Sequence, residues 1–210
     1  MVERYQKIPT VYLREEKRGG KLLVGQWAST EIAYLADCPW RFTEKVDGTN
    51  LRVIWDGHRV TYGGRTDDAQ IPADLVNYLV GTFGGEENAQ RLEQVFGSTP
   101  AMICGEGFGG RVAQGRHYAE ASEMAVFDVK IGDWWLGRAN VEDVAGKLDL
   151  TVVPEVLIGT LEEGVQLVRE GFKSGWGEFL AEGVVGRPVV DLVARDGERI
   201  AVKLKRRDLA

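Results

Sequence analysis

A lysine that could act as a nucleophile lies at position 45, and the residues after it suit that role. Asp47 comes two residues later, and Gly48 follows directly. Glycine lets the backbone turn tightly and lets a phosphate come close, because it has no Cβ. A lysine amine at the mouth of a cleft can attack an electrophile and hold it covalently. The pattern predicts covalent catalysis through Lys45.

Further charged residues recur at predicted strand ends or inside predicted strands. A sheet aims alternate side chains of a strand at one side, so such residues can converge on a single cleft. Lys203 and Lys205 are two residues apart and should face the same side of their strand. We expect them to lie near Lys45 together with the rest of this set. Its other members are Arg65, Glu106, Glu182 and Arg187.

The elements that must position these residues begin with a β-hairpin directly after the lysine. Residues 51–55 and 59–62 are rich in β-formers, and Asp56-Gly57 between them is a turn signal. Two helices are predicted within residues 71–96, because apolar residues recur there at helical spacing on both sides of residues 81–85. This part of the chain therefore combines sheet and helix.

The rest of the chain is predicted to add strands and two further helices. Residues 1–42 are expected to be irregular apart from a short helix over 29–36. Asn140 is expected to cap a helix that runs to about Leu148, and a second helix is expected over 161–172. The predicted strands are 101–104, 124–129, 133–136, 152–158, 182–187, 189–194 and 199–205.

The composition excludes several classes of protein. The chain has 210 residues, 44% of them hydrophobic and 28% charged, which suits one sizeable mixed domain. A net charge of −6 argues against a surface that binds nucleic acid throughout, so any such contact must be a local patch. Cys38 and Cys104 lack the spacing of a zinc site or a disulfide framework. With no apolar run of membrane length and no signal peptide, we expect a cytoplasmic protein without a membrane partner.

Motifs in a characteristic order resemble those of the covalent nucleotidyltransferases, the superfamily of polynucleotide ligases and mRNA capping enzymes. The resemblance is closest to the RNA ligases similar to phage T4 RNA ligase 2. In the first motif Asn50 is typical of RNA ligases, whereas Asp47 is closer to the pattern of DNA ligases and capping enzymes. The motifs are Glu44-Lys45-Val46-Asp47-Gly48-Thr49-Asn50, Gly64-Arg65-Thr66, Gly105-Glu106, Phe127-Asp128, Glu182-Gly183-Val184-Val185-Gly186-Arg187-Pro188 and Lys203-Leu204-Lys205.

The fold that this resemblance implies is α+β, the ATP-grasp-like nucleotidyltransferase domain of DNA and RNA ligases, with antiparallel sheets flanked by helices. It implies one adenylyltransferase domain over residues 1–210. Relatives carry an OB-fold or a helical domain beyond the last motif, whereas only residues 206–210 follow Lys205 here. We therefore expect no OB-fold or other C-terminal domain. A partner protein or a second domain in trans is then a candidate for help with substrate binding.

The activity implied by the resemblance is RNA ligation that depends on ATP and on Mg²⁺ or Mn²⁺. An uncharged Lys45 amine would attack the α-phosphate of ATP, forming lysyl-AMP and releasing pyrophosphate. Lys203, Lys205 and Arg65 would favour loss of the amine proton through like-charge repulsion and would then hold the phosphates. AMP would pass to an RNA end with a 5′-phosphate, and a 3′-hydroxyl end would displace it.

The resemblance also implies roles for single residues around the nucleotide. Glu44 would accept a hydrogen bond from the adenine amino group, and Glu106 would bond the ribose hydroxyls. Glu182 would be a ligand of Mg²⁺, which prefers carboxylate oxygen and keeps several waters. Asn50 would orient the phosphates. Phe127 would stack on the purine, although its apolar strand leaves a plain core role open.

Contact with the RNA itself is expected from arginines near the end of the chain. Arg187 lies within the motif that begins at Glu182, and Arg206 and Arg207 follow Lys205 in a basic run. Such a run is more commonly a solvated tail, so this assignment depends on the neighbouring motif. Asp128 could bind metal or satisfy backbone groups at a strand end, and the sequence leaves both readings open.

Two other functions remain as alternatives. Within the same superfamily the chain could be a DNA nick ligase or a capping-type guanylyltransferase, which would differ in polymer or in nucleotide. In another class, it could be a non-catalytic nucleotide- or RNA-binding module, or a subunit that needs a partner. The presence of Lys45, Glu182, Lys203 and Lys205 argues against the binding module, because mere binding does not require the nucleophile.

Overall fold

The computed structural model describes residues 4–17, 20–112 and 115–209. These residues form two compact units, each assembled from separate stretches of the chain. The first unit comprises residues 4–5 and 46–153, and the second comprises residues 6–45 and 154–209. Lys45 is the last residue of its stretch in the second unit. The expectation of one adenylyltransferase domain over residues 1–210 stays a prediction.

Strands and helices alternate along the described chain. The strands are β1 (Tyr12–Arg14), β2 (Leu22–Trp27), β3 (Trp40–Glu44), β4 (Thr49–Trp55), β5 (Val60–Gly63), β6 (Ala101–Phe108), β7 (Glu123–Ile131), β8 (Trp134–Trp135), β9 (Thr151–Val152), β10 (Glu155–Gly159), β11 (Gly183–Pro188) and β12 (Val202–Lys205). The helices are α1 (Thr30–Tyr34), α2 (Ala73–Phe83), α3 (Glu86–Phe96), α4 (Arg138–Lys147), α5 (Leu161–Glu170) and α6 (Arg206–Leu209).

The first unit contains a six-stranded sheet in the order β5-β4-β6-β7-β8, with β9 parallel to β7. The other neighbouring strands are antiparallel. The predicted hairpin is confirmed, and Asp56 forms its turn. Its Oδ1 accepts hydrogen bonds from the backbone N–H groups of His58 at 2.8 Å and Arg59 at 2.7 Å. An aspartate side chain that bonds nearby backbone in this way is a common turn former.

One face of this sheet is apolar and forms a core with α2, α3 and α4. Leu51 and Val53 alternate along β4, and both are buried. Leu75 and Leu79, one helical turn apart on α2, are fully buried in the same core. Burial of apolar area contributes about 25 cal/mol per Å². The helix pair predicted within residues 71–96 is confirmed.

The second unit contains a four-stranded antiparallel sheet in the order β10-β3-β11-β12 and a separate pair formed by β1 and β2. Trp40 and Phe42 alternate on β3 and pack, fully buried, with the apolar side of α5. A capping box starts α5. The Thr160 side chain accepts from the Glu163 N–H, and the Glu163 carboxylate accepts from the Thr160 N–H at 2.7 Å. This core lies under β3, the strand that leads into Lys45.

The predicted fold class, an α+β arrangement of antiparallel sheets flanked by helices, is confirmed. Several boundaries were wrong. Residues 1–42 contain β1, β2 and the start of β3 besides the expected helix, whose cap is Ser29. The cap of α4 is Gly137 instead of Asn140. Within residues 4–17, 20–112 and 115–209, no helix is long and apolar enough to cross a membrane.

The predicted strand over 152–158 is two strands, because Pro154 lacks the N–H that a continuous ladder needs. Val152 ends β9 in the first unit, and Glu155 begins β10 in the second. Residues 189–194 contain only an isolated bridge between Val193 and Arg199 instead of a strand. The basic residues after β12 form the start of the short helix α6.

Candidate active site

Lys45 is held by backbone bonds on both of its sides within the second unit. Its N–H donates to the carbonyl of Gly183 at 2.9 Å, which extends the pairing of β3 with β11. The preceding N–H, that of Glu44, donates to Pro154 O at 2.8 Å. The nucleophile candidate therefore starts from a fixed backbone at the end of a central strand.

The side chains of Lys45, Glu182 and Lys205 meet at this point. Nζ of Lys45 lies 2.5 Å from Oε2 of Glu182, and Nζ of Lys205 lies 2.6 Å from Oε1 of the same carboxylate. The side chains of Lys45, Glu182 and Lys205 are 19%, 11% and 17% exposed, so the cluster is largely shielded from solvent but still accessible to it. Each carboxylate oxygen is thus matched with one ammonium group.

Strand register brings these residues together. Gly183 pairs with Lys205 across β11 and β12, which places Glu182 beside the end of β12. The carbonyl of Glu182 also accepts from the Arg206 N–H at 2.9 Å. Gly183 has φ +156, and a Cβ added to it would lie 1.9 Å from Leu204 O. Only glycine allows the two strands to approach this closely next to Glu182.

The two lysines control the ionisation of Glu182. Burial alone would raise the pKa of this carboxyl group. The charges and hydrogen bonds of Lys45 and Lys205 outweigh the burial, and the pKa of Glu182 lies below its ordinary value. The carboxylate is consequently ionised at neutral pH and can orient the Lys45 amine.

Lys203 adds a second cation on the same face of β12. It lies two residues before Lys205 and is half-buried. Burial lowers the pKa of Lys203, and the charges of Lys205 and Lys45 lower it further, with smaller contributions from Lys7 and Arg14. The face therefore concentrates positive charge, which suits the binding of phosphate.

Glu44 contacts a loop of its own unit. Its side chain is only 1% exposed. Oε1 accepts from Ser174 Oγ at 2.5 Å, and Oε2 accepts from the Gly175 N–H at 2.8 Å. Ser174 Oγ in turn accepts from the Trp176 N–H at 3.1 Å. The carboxylate thus anchors the loop between α5 and β11, and its expected contact with adenine stays a prediction.

In the first unit, Asn50 and Glu106 are register partners on β4 and β6. Both are half-buried, and cross-strand partners share one face of the sheet. Oδ1 of Asn50 is buried, and no residue among 4–17, 20–112 and 115–209 gives it a hydrogen bond. Gly48 lies just ahead of β4, and a Cβ there would lie 2.2 Å from Gly107 O. Position 48 therefore has to be glycine, because a side chain there would overlap the backbone of β6.

Phe127 lies at an irregularity of β7. The register with β6 shifts between the pairs Gly105–Val126 and Cys104–Asp128, so Phe127 is the extra residue of a bulge. Its ring is half-buried, and the ring of Tyr5 lies 5.1 Å away at an angle of 57°. Tyr5 Oη donates to Asp128 Oδ2 at 2.5 Å. This contact gives Asp128 a structural partner in Tyr5, and the two readings of Asp128 stay predictions.

Arg65 lies in the turn after β5 and is exposed. The turn itself is held by Arg52, a fully buried residue that the motifs did not indicate. Nε of Arg52 donates to Gly64 O at 2.5 Å, and Nη2 donates to Asp67 Oδ1 at 2.8 Å. An arginine inside an apolar strand was the available signal, because such a charge is rarely buried without a partner.

The arginines expected to contact RNA occupy different positions in the second unit. Arg187 is half-buried within β11, opposite Arg41 of β3. Arg206 and Arg207 are exposed on α6, directly after Lys205. All three lie on elements adjoining the Lys45 cluster, and their contact with a polynucleotide stays a prediction.

A divalent cation fits this site only if it shares ligands with a phosphate. No group of three or more His, Cys, Asp or Glu side chains suited to a metal occurs in residues 4–17, 20–112 and 115–209. The Glu182 carboxylate supplies oxygen of the kind that Mg²⁺ and Mn²⁺ prefer, and Mg²⁺ is commonly held by one or two carboxylates, phosphates and water. Both Glu182 oxygens face ammonium groups, so a cation would have to replace at least one of them.

Solved structures of RNA ligase from Naegleria gruberi have the same fold. A mutant without ligand matches with a TM-score of 0.66 and 16% identity, covering 99% of this chain and 59% of that enzyme. A mutant solved with ATP and Mn matches with 0.64 and 15%, and one solved with AMP and Mn with 0.63 and 15%; both cover 83% of this chain and 52% of theirs. This chain thus spans little more than half the length of those enzymes.

The fold is therefore the nucleotidyltransferase fold of RNA ligases. The sequence profile of the RNA ligase family matches residues 39–205. The chain belongs to the RNA ligase family, which confirms the resemblance seen in the motifs. Among curated proteins, no sequence matches this chain.

Proposed function

We propose that this protein is an ATP-dependent RNA ligase that forms a covalent lysyl-AMP at Lys45. The observation that carries the proposal is the contact of Glu182 with both Lys45 and Lys205, in a chain of the RNA ligase family. A binding module has no need for a shielded amine oriented by a carboxylate and flanked by cations. Covalent catalysis by lysine does need one.

The first step is attack by the Lys45 amine on the α-phosphorus of ATP. A nitrogen–phosphorus bond forms, the bond from phosphorus to the bridging oxygen of pyrophosphate breaks, and the electron pair leaves with that oxygen. The amine must give up its proton to solvent. Glu182 orients the amine but also favours its charged form, whereas Lys203 and Lys205 disfavour a third positive charge. Displacement of the amine from Glu182 would make it reactive.

Mg²⁺ or Mn²⁺ would be held by Glu182 together with the phosphates of ATP. Such an ion would neutralise phosphate charge during the transfer. Lys203 and Lys205 would donate hydrogen bonds to the phosphate oxygens and offset the charge that develops at the α-phosphorus. These roles use the same face of β12 that concentrates positive charge.

Residues of the first unit would bind the rest of the nucleotide. The buried Asn50 Oδ1 and the neighbouring Glu106 would bond polar groups of the nucleotide, with Glu106 at the ribose hydroxyls and Asn50 orienting phosphates. Phe127 would stack on the purine, and Arg65 would contact phosphate. The main role proposed for Glu44 is to anchor the loop that contains Ser174 and Gly175. By holding this loop, Glu44 would help to fix the position of Lys45, the next residue along the chain.

The later steps join RNA ends. A 5′-phosphate oxygen would attack the phosphorus of lysyl-AMP, breaking the nitrogen–phosphorus bond and returning the amine. A 3′-hydroxyl would then attack the 5′-phosphorus, form the phosphodiester and release AMP. Arg187, Arg206 and Arg207 are the proposed contacts to the RNA backbone, because arginine binds phosphate well.

The decisive experiment is intact-mass measurement before and after incubation with ATP and Mg²⁺. The wild-type chain should gain the mass of one AMP, and Lys45→Ala should gain none. Lys21→Ala, which changes an exposed lysine in the connection between β1 and β2, should behave as wild type. A wild-type chain that takes up no AMP, or a Lys45→Ala chain that does, would refute the proposal.

Labelled ATP and GTP distinguish the alternatives. We expect label from ATP, whereas covalent label from GTP would indicate a capping-type guanylyltransferase. Nicked RNA and nicked DNA should then be compared as substrates, and sealing of DNA alone would indicate a DNA nick ligase. Non-covalent binding without lysyl-AMP would favour the binding module.

A partner protein or a second domain could assist this chain when it seals RNA. The chain covers 52% of the length of the Naegleria enzyme solved with ATP and Mn. We propose that adenylylation of Lys45 requires this chain only, whereas RNA sealing gains from a partner protein or second domain. Sealing that is equally fast with the chain alone and in a lysate of its source would argue against such a partner.

A further inference from the structure

The segment before β1 is fastened to the strand that carries Lys203. Lys203 N–H donates to Pro9 O at 2.8 Å, and the Val11 N–H donates to Lys203 O at 3.3 Å. Thr10 and Lys203 form a parallel bridge. Residues 9–11 therefore add a short edge to β12 on the side away from β11.

A second attachment lies three residues earlier. Gln6 Nε2 donates to Arg199 O at 2.8 Å, and Gln6 Oε1 accepts from the Arg199 N–H at 3.2 Å. Lys7 lies between these two attachments, so its backbone position is fixed relative to β12. Its side chain is exposed. Among the ion pairs of the described residues, none involves Lys7.

The charge of Lys7 reaches Lys203. Burial is the main cause of the lowered pKa of Lys203, and Lys7 is among the charges that lower it further. Arg14 acts in the same direction but is already committed, because it forms an ion pair with Asp208 and donates to Gly20 O at 3.1 Å. Lys7 is thus an exposed cation near enough to add to the positive charge around Lys203.

The cations of this face form a row that starts at the nucleophile. Lys205 contacts the carboxylate that Lys45 contacts, and Lys203 lies two residues away along the strand, which corresponds to about 7 Å. Lys7 lies two residues before the added edge, on the same segment that is fastened to Lys203. A polyphosphate whose reacting phosphorus is at Lys45 would extend along this row.

We propose that Lys7 binds the outer phosphates of ATP and stabilises the pyrophosphate that leaves when Lys45 attacks. The inference rests on the proposed function. Lys45 nitrogen bonds to the α-phosphorus, and the bridging oxygen leaves with the electron pair of the broken bond. Negative charge grows on the pyrophosphate, and the Lys7 ammonium group donates hydrogen bonds to it without changing its own protonation.

This role is specific to reactions that contain the outer phosphates. Lys7→Ala should slow formation of lysyl-AMP at low ATP concentration roughly tenfold, the size expected for loss of one hydrogen bond to a charged group. The reverse reaction, in which pyrophosphate removes AMP from the enzyme, should slow by a similar factor. Binding of AMP to the chain should not change, because AMP has no outer phosphates.

Three variants of the full chain make the test. Lys7→Ala, Lys7→Arg and the control Lys21→Ala are compared by intact mass over time with ATP, and by calorimetric titration with AMP. Lys7→Arg should recover most of the rate, and Lys21→Ala should match wild type. A Lys7→Ala rate equal to wild type would overturn the inference, as would an equal loss in AMP binding, which would indicate a structural role.

The wild-type chain shows whether a negative result concerns the proposed function or only the role of Lys7. If the wild-type chain forms no lysyl-AMP, the proposed function and the inference fail together. If wild type is active and Lys7→Ala is unaffected, only the inference fails. The thermal unfolding midpoint of each variant shows whether a slower rate has a cause other than the lost charge.

Discussion

Nζ of Lys45 lies 2.5 Å from Oε2 of Glu182. The contact joins an ammonium group to a carboxylate, and such a charge-assisted hydrogen bond is about twice as strong as a neutral one. The carboxylate therefore aims the amine before any nucleotide arrives. Since the same carboxylate also holds Lys205, a single side chain sets the position of two of the three proposed catalytic lysines.

Glu182→Gln should reduce the rate of lysyl-AMP formation by about 10²–10³-fold, the usual cost of removing one preorganised polar group from an active site. Glutamine keeps the size of the side chain but offers only one oxygen and no charge to the two lysines. The rate is measured by intact mass over time. Glu198→Gln, on an exposed turn, is the matched control and should be as fast as wild type. Equal rates for Glu182→Gln and wild type would contradict the assignment.

The positive charge of Lys203 should lower the free energy of unfolding. Its pKa is lowered by burial and then by neighbouring cations, so in the folded protein its charged form is disfavoured. A lysine with a lowered folded-state pKa destabilises the fold below that pKa, and the penalty disappears as pH rises to its unfolded value of 10.5.

Lys203→Met should accordingly raise the free energy of unfolding at pH 7, by no more than about 1 kcal/mol because a half-exposed charge is screened by water. The difference from wild type should shrink as pH rises toward 10.5. The same variant should lose most of its adenylylation activity. Urea unfolding of both proteins across this pH range checks the first point, and a difference that grows with pH would contradict it.

The convergence of Lys45, Glu182 and Lys205 could be predicted from the sequence, because strand alternation and the order of the motifs both indicated it. The elements that support them could not be predicted equally well. The segment at residues 9–11 pairs with Lys203, which lies more than 190 positions later, and no local pattern encodes such a pairing. The split at Pro154 was visible, yet the apolar residues on both sides of it favoured one continuous strand.

The hydrogen bond between Ser174 and Glu44 also could not be predicted from the sequence. Ser174 lies in a loop rich in glycine and polar residues, where a hydroxyl group is unremarkable. Only the folded chain brings its Oγ to 2.5 Å from the Glu44 carboxylate. Arg52 is a similar case, since its partners are a backbone carbonyl and an exposed aspartate of a turn. A partner that is a backbone group, or a neutral side chain far away in the sequence, leaves no recognisable pair in the sequence.

Ser174→Ala should reproduce the effects of Glu44→Gln, because both changes release the same loop. Each should lower the free energy of unfolding by about 1–3 kcal/mol, the value of a hydrogen bond to a charged group. Lysyl-AMP formation should slow in both, with no gain in the use of GTP. Glu178→Gln, on an exposed position of that loop, is the control. A switch toward GTP in Glu44→Gln alone would show that Glu44 reads the base.

Arg52→Met should destabilise the first unit by about 2–4 kcal/mol, because a buried guanidinium that makes several charge-assisted bonds is lost. Arg65→Ala should change stability by less than about 0.5 kcal/mol, since its side chain is exposed. Both should weaken ATP binding, the first by loosening the turn and the second by removing the phosphate contact. Thermal unfolding and ATP titration separate the two effects, and a stable Arg52→Met protein would contradict the account of the turn.

Gly183→Ala should damage both the fold and the reaction, although it adds one methyl group. That methyl group would lie 1.9 Å from Leu204 O, and the backbone at φ +156 is one that other residues rarely adopt. To relieve the overlap, β12 must move away from β11, which separates Lys205 from Glu182 and loosens the Gly183 carbonyl that accepts from Lys45 N–H. We expect a loss of at least about 1–3 kcal/mol in unfolding free energy and little adenylylation.

The control for this prediction is Gly146→Ala on α4, where an added Cβ meets nothing within 4 Å. This change should stabilise the helix by about 0.5–1 kcal/mol. A Gly183→Ala protein with wild-type stability and activity would show that the spacing of β11 and β12 does not set the geometry around Lys45.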